Sequence, residues 1–236
     1  MNRIGILSAM WVEAENLYQA MEPDTVTIYE YNSMRFYDGV LCGCPVVLST
    51  CGVGKINAAI YTQLMLDRFH VDRLIHTGIA GSLDPAVRHL DVVAAERLTY
   101  HDVRKSQLTE LFPYRESFET EPQLTEILLQ SAKEQCEEKQ DGTQAHKGLI
   151  LTGDAFVTNP EQKSLLKAHF PQTLCVEMES CAIAHTAYVN KVPIGIIRCI
   201  SDLADGGAQE DYAAFEKKAA DKAAEIVLKA LKKIEI

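Results

Sequence analysis

Hydrophobic positions along the chain fall into short runs, each closed off by glycine, proline or charge. Ile4 to Ala9, Pro45 to Ser49, Leu74 to Thr77, Val92 to Ala95, Leu149 to Thr152, Leu174 to Val176 and Ile194 to Ile200 are near-continuous apolar runs, the pattern of buried strands. Between several of them the period changes to that of a helix. Lys55 to Phe69 sets Ile56, Ala59, Ile60 and Leu64 on one stripe, and Pro122 to Glu137 does the same with Leu124, Ile127, Leu128 and Cys136. Both stripes are expected to pack on a sheet. Asp211 to Ile236 carries Tyr212, Phe215, Ala219, Ile226 and Leu231 opposite Lys-rich positions, which predicts a long closing helix with its lysines in solvent.

Strands alternating with helices predict an α/β architecture around a largely parallel sheet. Val26 to Tyr31, Met34 to Val40 and Pro45 to Ser49 are joined by short turns at Asn32-Ser33 and around Gly43, so they read as an antiparallel meander. The sheet is therefore expected to be mixed. No repeat, low-complexity tract or Ser/Gly linker divides the chain, which reads as a single domain over residues 1–236.

Composition narrows the possibilities. With 236 residues, 47% of them hydrophobic, the chain can fill a sizeable core without staples. Its 23 Lys+Arg against 33 Asp+Glu give a formal charge of -10, which opposes the phosphate attraction that dominates nucleic-acid binding. No nucleic-acid partner is expected. Met1 to Leu7 lacks the three-part layout of a secretory signal, and the apolar runs fall well short of the ~20 residues of a membrane span. The chain reads as cytoplasmic, with no membrane partner. Its seven cysteines are odd in number and scattered, and the one close pair, Cys42-Gly-Cys44, has no zinc-like companion. Reduced thiols are expected, and no metal.

In sheets of this kind ligands gather where strands end, so the residues that follow each run carry the chemistry. Met10 to Glu13 follow the first run, Gly78 to Ser82 form a Gly-rich turn after the third, and Gly153 to Phe156 follow Thr152. Glu177 to Glu179 follow Val176, and Ser201-Asp202 follow Ile200. If these runs share one sheet, Glu13, Glu179 and Asp202 converge beside Phe156. An acidic residue after a strand is often only a helix cap, but three together outweigh that reading. Three carboxylates without His or Cys ligands suit acid/base cleavage of a glycosidic bond. Holding an Asp protonated at pH 7 takes a rise of roughly three pKa units from about 3.9, or about 4 kcal/mol of environment. The apolar end of the last run supplies it by desolvation. The two glycine motifs are weak as nucleotide signals. Gly52-Val-Gly54-Lys55 lacks the P-loop spacing, and Gly78 to Gly81 lacks a third glycine.

Six motifs in order resemble one family: Ile4-Gly-Ile-Leu-Ser-Ala-Met10 with Glu13, Gly52-Val-Gly-Lys55, Thr77-Gly-Ile-Ala-Gly81, Thr152-Gly-Asp-Ala-Phe156, Val176-Glu-Met-Glu179, and Arg198-Cys-Ile-Ser-Asp-Leu-Ala-Asp205. Over nearly the full length the chain resembles the nucleoside phosphorylase superfamily and, within it, the methylthioadenosine/S-adenosylhomocysteine nucleosidases. That resemblance implies a three-layer α/β/α domain with a mixed, partly barrel-like central sheet. It implies a homodimer, no cofactor, and hydrolysis of the N-glycosidic bond of 5′-thio-substituted adenosines, with methionine salvage as its setting. Glu13 would activate water, Asp202 would protonate adenine N7, and Glu179 would hold the ribose hydroxyls with Met178 beside the sugar. Phe156 would lie on the adenine, Val157 would hydrogen-bond it through the main chain, and Gly81 would line the pocket. Ser201 would orient Asp202, while Met10 and Tyr212 would complete the substrate pocket, Tyr212 near the 5′ substituent.

Two departures from the family pattern stand out. Trp11-Val12 occupies positions where relatives carry further acidic residues, and Val103 to Glu116 does not follow the segment that closes over a partner subunit's site. The alternative function is a phosphate-dependent purine nucleoside phosphorylase of the same fold. That chemistry needs cationic donors that the strand exits lack, and Glu13 would repel the anion. A regulatory module that binds without catalysing gains nothing from burying three carboxylates. Arg198 is expected to pair with Glu177 or Asp202, His76 and His185 to be core histidines, and Trp11 to border the pocket.

Overall fold

A computed structural model describes residues 3–235. The chain runs β1 (Ile4–Ser8), α1 (Trp11–Gln19), β2 (Thr27–Tyr31), β3 (Met34–Leu41), β4 (Cys44–Thr50), α2 (Lys55–Phe69), β5 (Arg73–Ser82) and β6 (Val92–Tyr100). It continues with α3 (Lys105–Glu110), β7 (Phe118–Glu119), α4 (Pro122–Lys139), β8 (Ala145–Thr152), α5 (Pro160–His169), β9 (Thr173–Glu177), α6 (Ser180–Asn190), β10 (Ile194–Asp202) and α7 (Ala208–Leu231). The meander forms as its turns predict: Asn32, Ser33, Cys42 and Gly43 all take positive φ, the conformation that tight two-residue hairpin turns require.

The sheet is mixed and partly closed. β1 pairs in parallel with β4 and with the first half of β5, Arg73–His76. Beyond His76, β5 leaves β1 and takes β9 as an antiparallel neighbour at Gly81 and Ser82. β5, β10, β6, β8 and β9 pair in a ring, closing a five-stranded barrel. The gap where β1 and β9 part on the edge of β5 leaves amide groups without strand partners, and the candidate site forms there.

Two apolar layers hold the sheet between helices. α1, α4 and α7 pack on one side through Leu17, Leu128, Ala223, Ile226 and Val227, and α2 and α6 pack on the other through Met65, Phe69, Cys181 and Ile183. This is the expected three-layer arrangement. All seven cysteines are free, and six of them are buried.

Four expectations need correction. α2 spans its predicted residues, but it buries Ala58, Thr62, Met65, Leu66 and Phe69, whereas Ile56 and Ile60 stand 73% and 49% exposed. The helix has two apolar stripes, and periodicity alone does not say which one meets the core. Gly78 to Ser82 is not a turn: it continues β5, and Gly78, Ala80 and Gly81 pair through their backbones with β10. Small residues disguise this strand because their β propensity is low. Lys222, assigned to a solvated face, is buried on α7, where its ammonium reaches Thr143 and Asp141. The closing helix begins earlier than predicted, at Ala208, and Ile236 lies outside the described residues.

Candidate active site

At the parting of β1 and β9 lies a cavity of about 290 Å³. Met10, Glu13, Gly81, Phe156, Met178, Glu179, Ser201, Asp202 and Tyr212 all line it, and Val157 lines a small annex that shares Phe156 and Asp202. All ten residues named from the sequence thus come together. Ala9, Val53, Ile79, Ala80, Val176 and Glu177 complete the wall. Apolar or backbone-contributing residues like most of these carry no sequence signal that separates them from core.

Glu13 sits in the first turn of α1, buried. Its Oε2 accepts the Ala9 and Met10 N–H groups at 2.8 Å each, and its Oε1 accepts the Ile79 N–H at 3.0 Å. The Ile79 amide is free to donate because β5 has already left β1 on that edge. Burial raises the Glu13 pKa above its ordinary value, while Arg198 and the three amides pull the other way. A side chain at Gly78 would overlap both Arg198 Nη1 and Glu13 Oε1, so glycine there is a packing requirement.

Asp202 ends β10, where a register shift leaves Ile200 opposite Ala80 and Asp202 opposite Gly81. The extra residue is Ser201. Strict alternation would send Ser201 and Asp202 to opposite faces, but across the bulge both reach the cavity. Ser201 Oγ donates to Asp202 Oδ2 at 2.8 Å, and the Ala204 N–H donates to Oδ1 at 2.9 Å. Burial nevertheless raises the Asp202 pKa. A Cβ at Gly81 would stand 2.7 Å from Asp202 Oδ1, so this close approach also needs glycine.

Glu179 lies at the start of α6. Its Oε1 accepts the Gly54 N–H at 2.8 Å, and its Oε2 stands 3.4 Å from Arg198 Nη2. Burial, and then the charge of Glu177, push its pKa up to about 8. Phe156 and Tyr212 meet edge to face with ring centroids 5.6 Å apart, and the Tyr212 hydroxyl donates to Glu216 at 2.8 Å and contacts Met10 Sδ at 3.3 Å.

Beneath the cavity, fully buried Arg198 ties the carboxylates together. Its Nη2 meets Glu177, Glu179, Ser180 Oγ and His76 Nε2, and its Nη1 lies 3.9 Å from Glu13 Oε1. The expected Arg198–Glu177 pair forms, and no ion pair joins Arg198 to Asp202 among the described residues. His76 is buried as expected, but its surroundings are charged rather than apolar. Burial, and then Arg198, hold its pKa well below the ordinary value. The neutral ring donates from Nδ1 to the Leu7 carbonyl at 2.8 Å, which leaves the Nε2 lone pair for the guanidinium. His76, Glu177 and Glu179 are the one grouping among the described residues with metal-ligand spacing. Arg198 Nη2 touches all three, so their acceptors already serve a cation.

Residues 3–232 match the phosphorylase superfamily. A 5′-methylthioadenosine/S-adenosylhomocysteine nucleosidase of Staphylococcus saprophyticus is 37% identical, over 98% of this chain and 100% of its own. The chain belongs to this nucleosidase family. The crystal structure of the Neisseria meningitidis nucleosidase in complex with methylthio-immucillin-A superposes with a TM-score of 0.91 at 32% identity, covering 99% of this chain and 100% of that one. An S-adenosylhomocysteine nucleosidase from Streptococcus pyogenes, in complex with 5-methylthiotubericidin, superposes at 0.90 with 28% identity, covering 100% of this chain and 98% of that one.

Two further expectations fail in this nucleosidase fold. Trp11 does not border the cavity: it packs against Tyr18 and Tyr37 at 5.5 and 5.8 Å, half out of the surface. His185 is only half-buried, stacked on Phe118 at 4.5 Å and lining a separate surface groove with Lys55 and Ile56. Its apolar sequence neighbours belong to a helix whose far side faces outward.

Proposed function

We propose that the chain hydrolyses the N-glycosidic bond of 5′-methylthioadenosine and S-adenosylhomocysteine, releasing adenine and the thioribose. The observation that carries this reading is the convergence of three buried carboxylates, from three separate strand exits, on one largely apolar cavity. Asp202, raised by burial, holds the proton that passes to adenine N7, so the base leaves neutral. Glu13, held as an acceptor by three amides, takes a proton from the attacking water. Its raised pKa makes it a stronger base. Arg198 Nη1, buried without a hydrogen-bond partner beside Glu13, is the donor that orients this water.

Glu179 binds the ribose hydroxyls, and the carboxylates stabilise the oxocarbenium-like sugar between them. Phe156 covers the adenine, the Val157 main chain bonds to it, and Gly81 backs it. Met178 packs on the sugar, Ser201 orients Asp202, and Met10 and Tyr212 face the 5′ substituent.

Phosphorolysis is disfavoured by charge: Arg198 is matched against Glu13, Glu177 and Glu179. Adenine release from 5′-methylthioadenosine is expected at the same rate with and without phosphate. Strict phosphate dependence would refute the hydrolase.

We further propose a homodimer acting in the cytoplasm, each chain a single domain over 1–236. No helix among the described residues is long and apolar enough to cross a membrane. Supporting the dimer, Ile56 and Ile60 continue outward from Val53, which itself lines the catalytic cavity, and Leu111, Phe112 and Tyr114 stand 61–68% exposed on the segment that departs from the family pattern. A partner seated on this apolar face reaches the cavity mouth with residues from 103–116. Ile56→Asp is expected to yield a monomer by light scattering, with kcat/KM lowered about tenfold or more through loss of closure. A fully dimeric, fully active variant would remove the proposal.

A further inference from the structure

Outside the carboxylate cluster, three residues form a closed ring of side-chain and main-chain hydrogen bonds beside the cavity. The Lys55 ammonium donates to both oxygens of Asp102, at 2.7 and 2.6 Å. Asp102 Oδ2 also accepts the Asp154 N–H at 2.8 Å, and Asp154 Oδ1 in turn accepts the Lys55 N–H at 2.9 Å. Each member comes from a different place in the chain: the start of α2, the exit of β6 and the exit of β8. None of the three lines the cavity. Yet the next amide along from Lys55, that of Gly54, is the one that donates to Glu179. On the other side of the ring, Asp154 precedes Ala155 and Phe156, which do line the site.

Gly54 takes φ of +102°, a conformation that L side chains rarely adopt, and a Cβ there would stand 3.2 Å from Asp154 Oδ1. Within the turn the Gly52 N–H donates to the Ala9 carbonyl at 2.9 Å and the Gly54 carbonyl accepts the Ala58 N–H at 3.1 Å, but a glycine with this backbone freedom needs a hold on its following side as well. The ring supplies it by fastening the Lys55 N–H and ammonium to two other strand exits, with the Gly54 N–H aimed at Glu179.

We infer that the Lys55–Asp102–Asp154 ring is a positioning device for ribose recognition, aligning Glu179 through the Gly54 amide. It rests on the assignment of Glu179 to the ribose hydroxyls. Lys55 touches no reacting atom in this scheme, so it is a positioning residue. The ring also anchors Asp102 at the root of the 103–116 segment.

The test compares 5′-methylthioadenosine with its 2′-deoxy and 3′-deoxy analogues on the full-length protein. Wild type is expected to discriminate strongly against at least one deoxy analogue. Lys55→Met is expected to lose about 10- to 100-fold in kcat/KM on the ribonucleoside, mostly in KM, but less than about threefold on the analogue that wild type rejects. Lys55→Arg, which keeps a two-pronged contact with Asp102, is expected to restore most of the loss, and Asp102→Asn to reproduce it. Equal losses on ribo and deoxy substrates in both Lys55→Met and Asp102→Asn would overturn the inference while leaving the ribose assignment standing. Absence of discrimination in wild type would overturn the ribose assignment, and the inference with it. Should Lys55→Met fail to fold, Asp102→Asn and Lys55→Arg carry the same comparison.

Discussion

Asp202→Asn is expected to lower kcat on 5′-methylthioadenosine by about 10²- to 10⁴-fold, the range for removing a general acid. Asparagine keeps the shape: its Oδ1 can accept the Ala204 N–H, and its NH2 can donate to Ser201 Oγ, whose own proton turns to the Ala80 carbonyl, so the pocket is preserved. Binding of a neutral adenine-nucleoside analogue, read by calorimetry, should change little. The pH profile supplies a second readout. Burial raises the Asp202 pKa, and the protonated form is the active one, so wild-type activity is present below that raised value and declines as pH climbs through it. In the variant this alkaline limb should vanish. Turnover within threefold of wild type, or an alkaline limb that persists unchanged, would place the proton donor elsewhere.

Arg198→Met is expected to be the most destabilising single substitution. Its guanidinium is fully buried among Glu13, Glu177 and Glu179, and methionine leaves those carboxylates without a counter-charge. Removing one side of a buried ionic cluster costs about 3–5 kcal/mol, far more than an exposed pair is worth. The effect should depend on pH in a fixed direction. Glu13 and Glu179 already have raised pKa values from burial, and loss of the cation raises them further. A carboxyl group with a raised folded-state pKa favours the fold below its unfolded value, near 4.5. That contribution disappears as pH rises through the folded value. The gap between variant and wild type in urea midpoint should therefore widen from pH 5 to pH 9. A gap that is constant with pH would mean that lost packing, not stranded charge, dominates.

The sheet and the site differ in how legible they were. Strand and helix periods place nine of the ten described strands and the helices α2, α4 and α7, because local period is a property of neighbouring residues, whereas α1, α3, α5, α6 and the two-residue β7 are not assigned from it. The failures have specific causes. The apolar pattern ends β5 at Thr77 because Gly78, Ala80 and Gly81 look like turn residues, whereas the two glycines admit Arg198, Glu13 and Asp202 to the backbone. The period of α2 points to the wrong stripe because Ile56 and Ile60 are as apolar as any core pair, and periodicity does not report what lies opposite. Arg198 was visible as a charge inside an apolar strand, and its partner Glu177 was anticipated. His76 reads as an ordinary core histidine because the guanidinium beside it comes from a residue 122 positions away in the chain.

By itself the sequence determined the α/β class, the acidic character and the identity of the carboxylates, since each follows a strand and keeps its motif. Only the tertiary structure decided that these carboxylates share one cavity. β5 must first change partners from β1 to β9, which frees the Ile79 amide for Glu13, and β10 must bulge at Ser201, which turns Asp202 inward. Both events depend on strands far apart in the chain. Hydrogen bonds between such strands leave no mark in the spacing of any one of them, whereas the burial that raises Glu13, Glu179 and Asp202 exists only once they close.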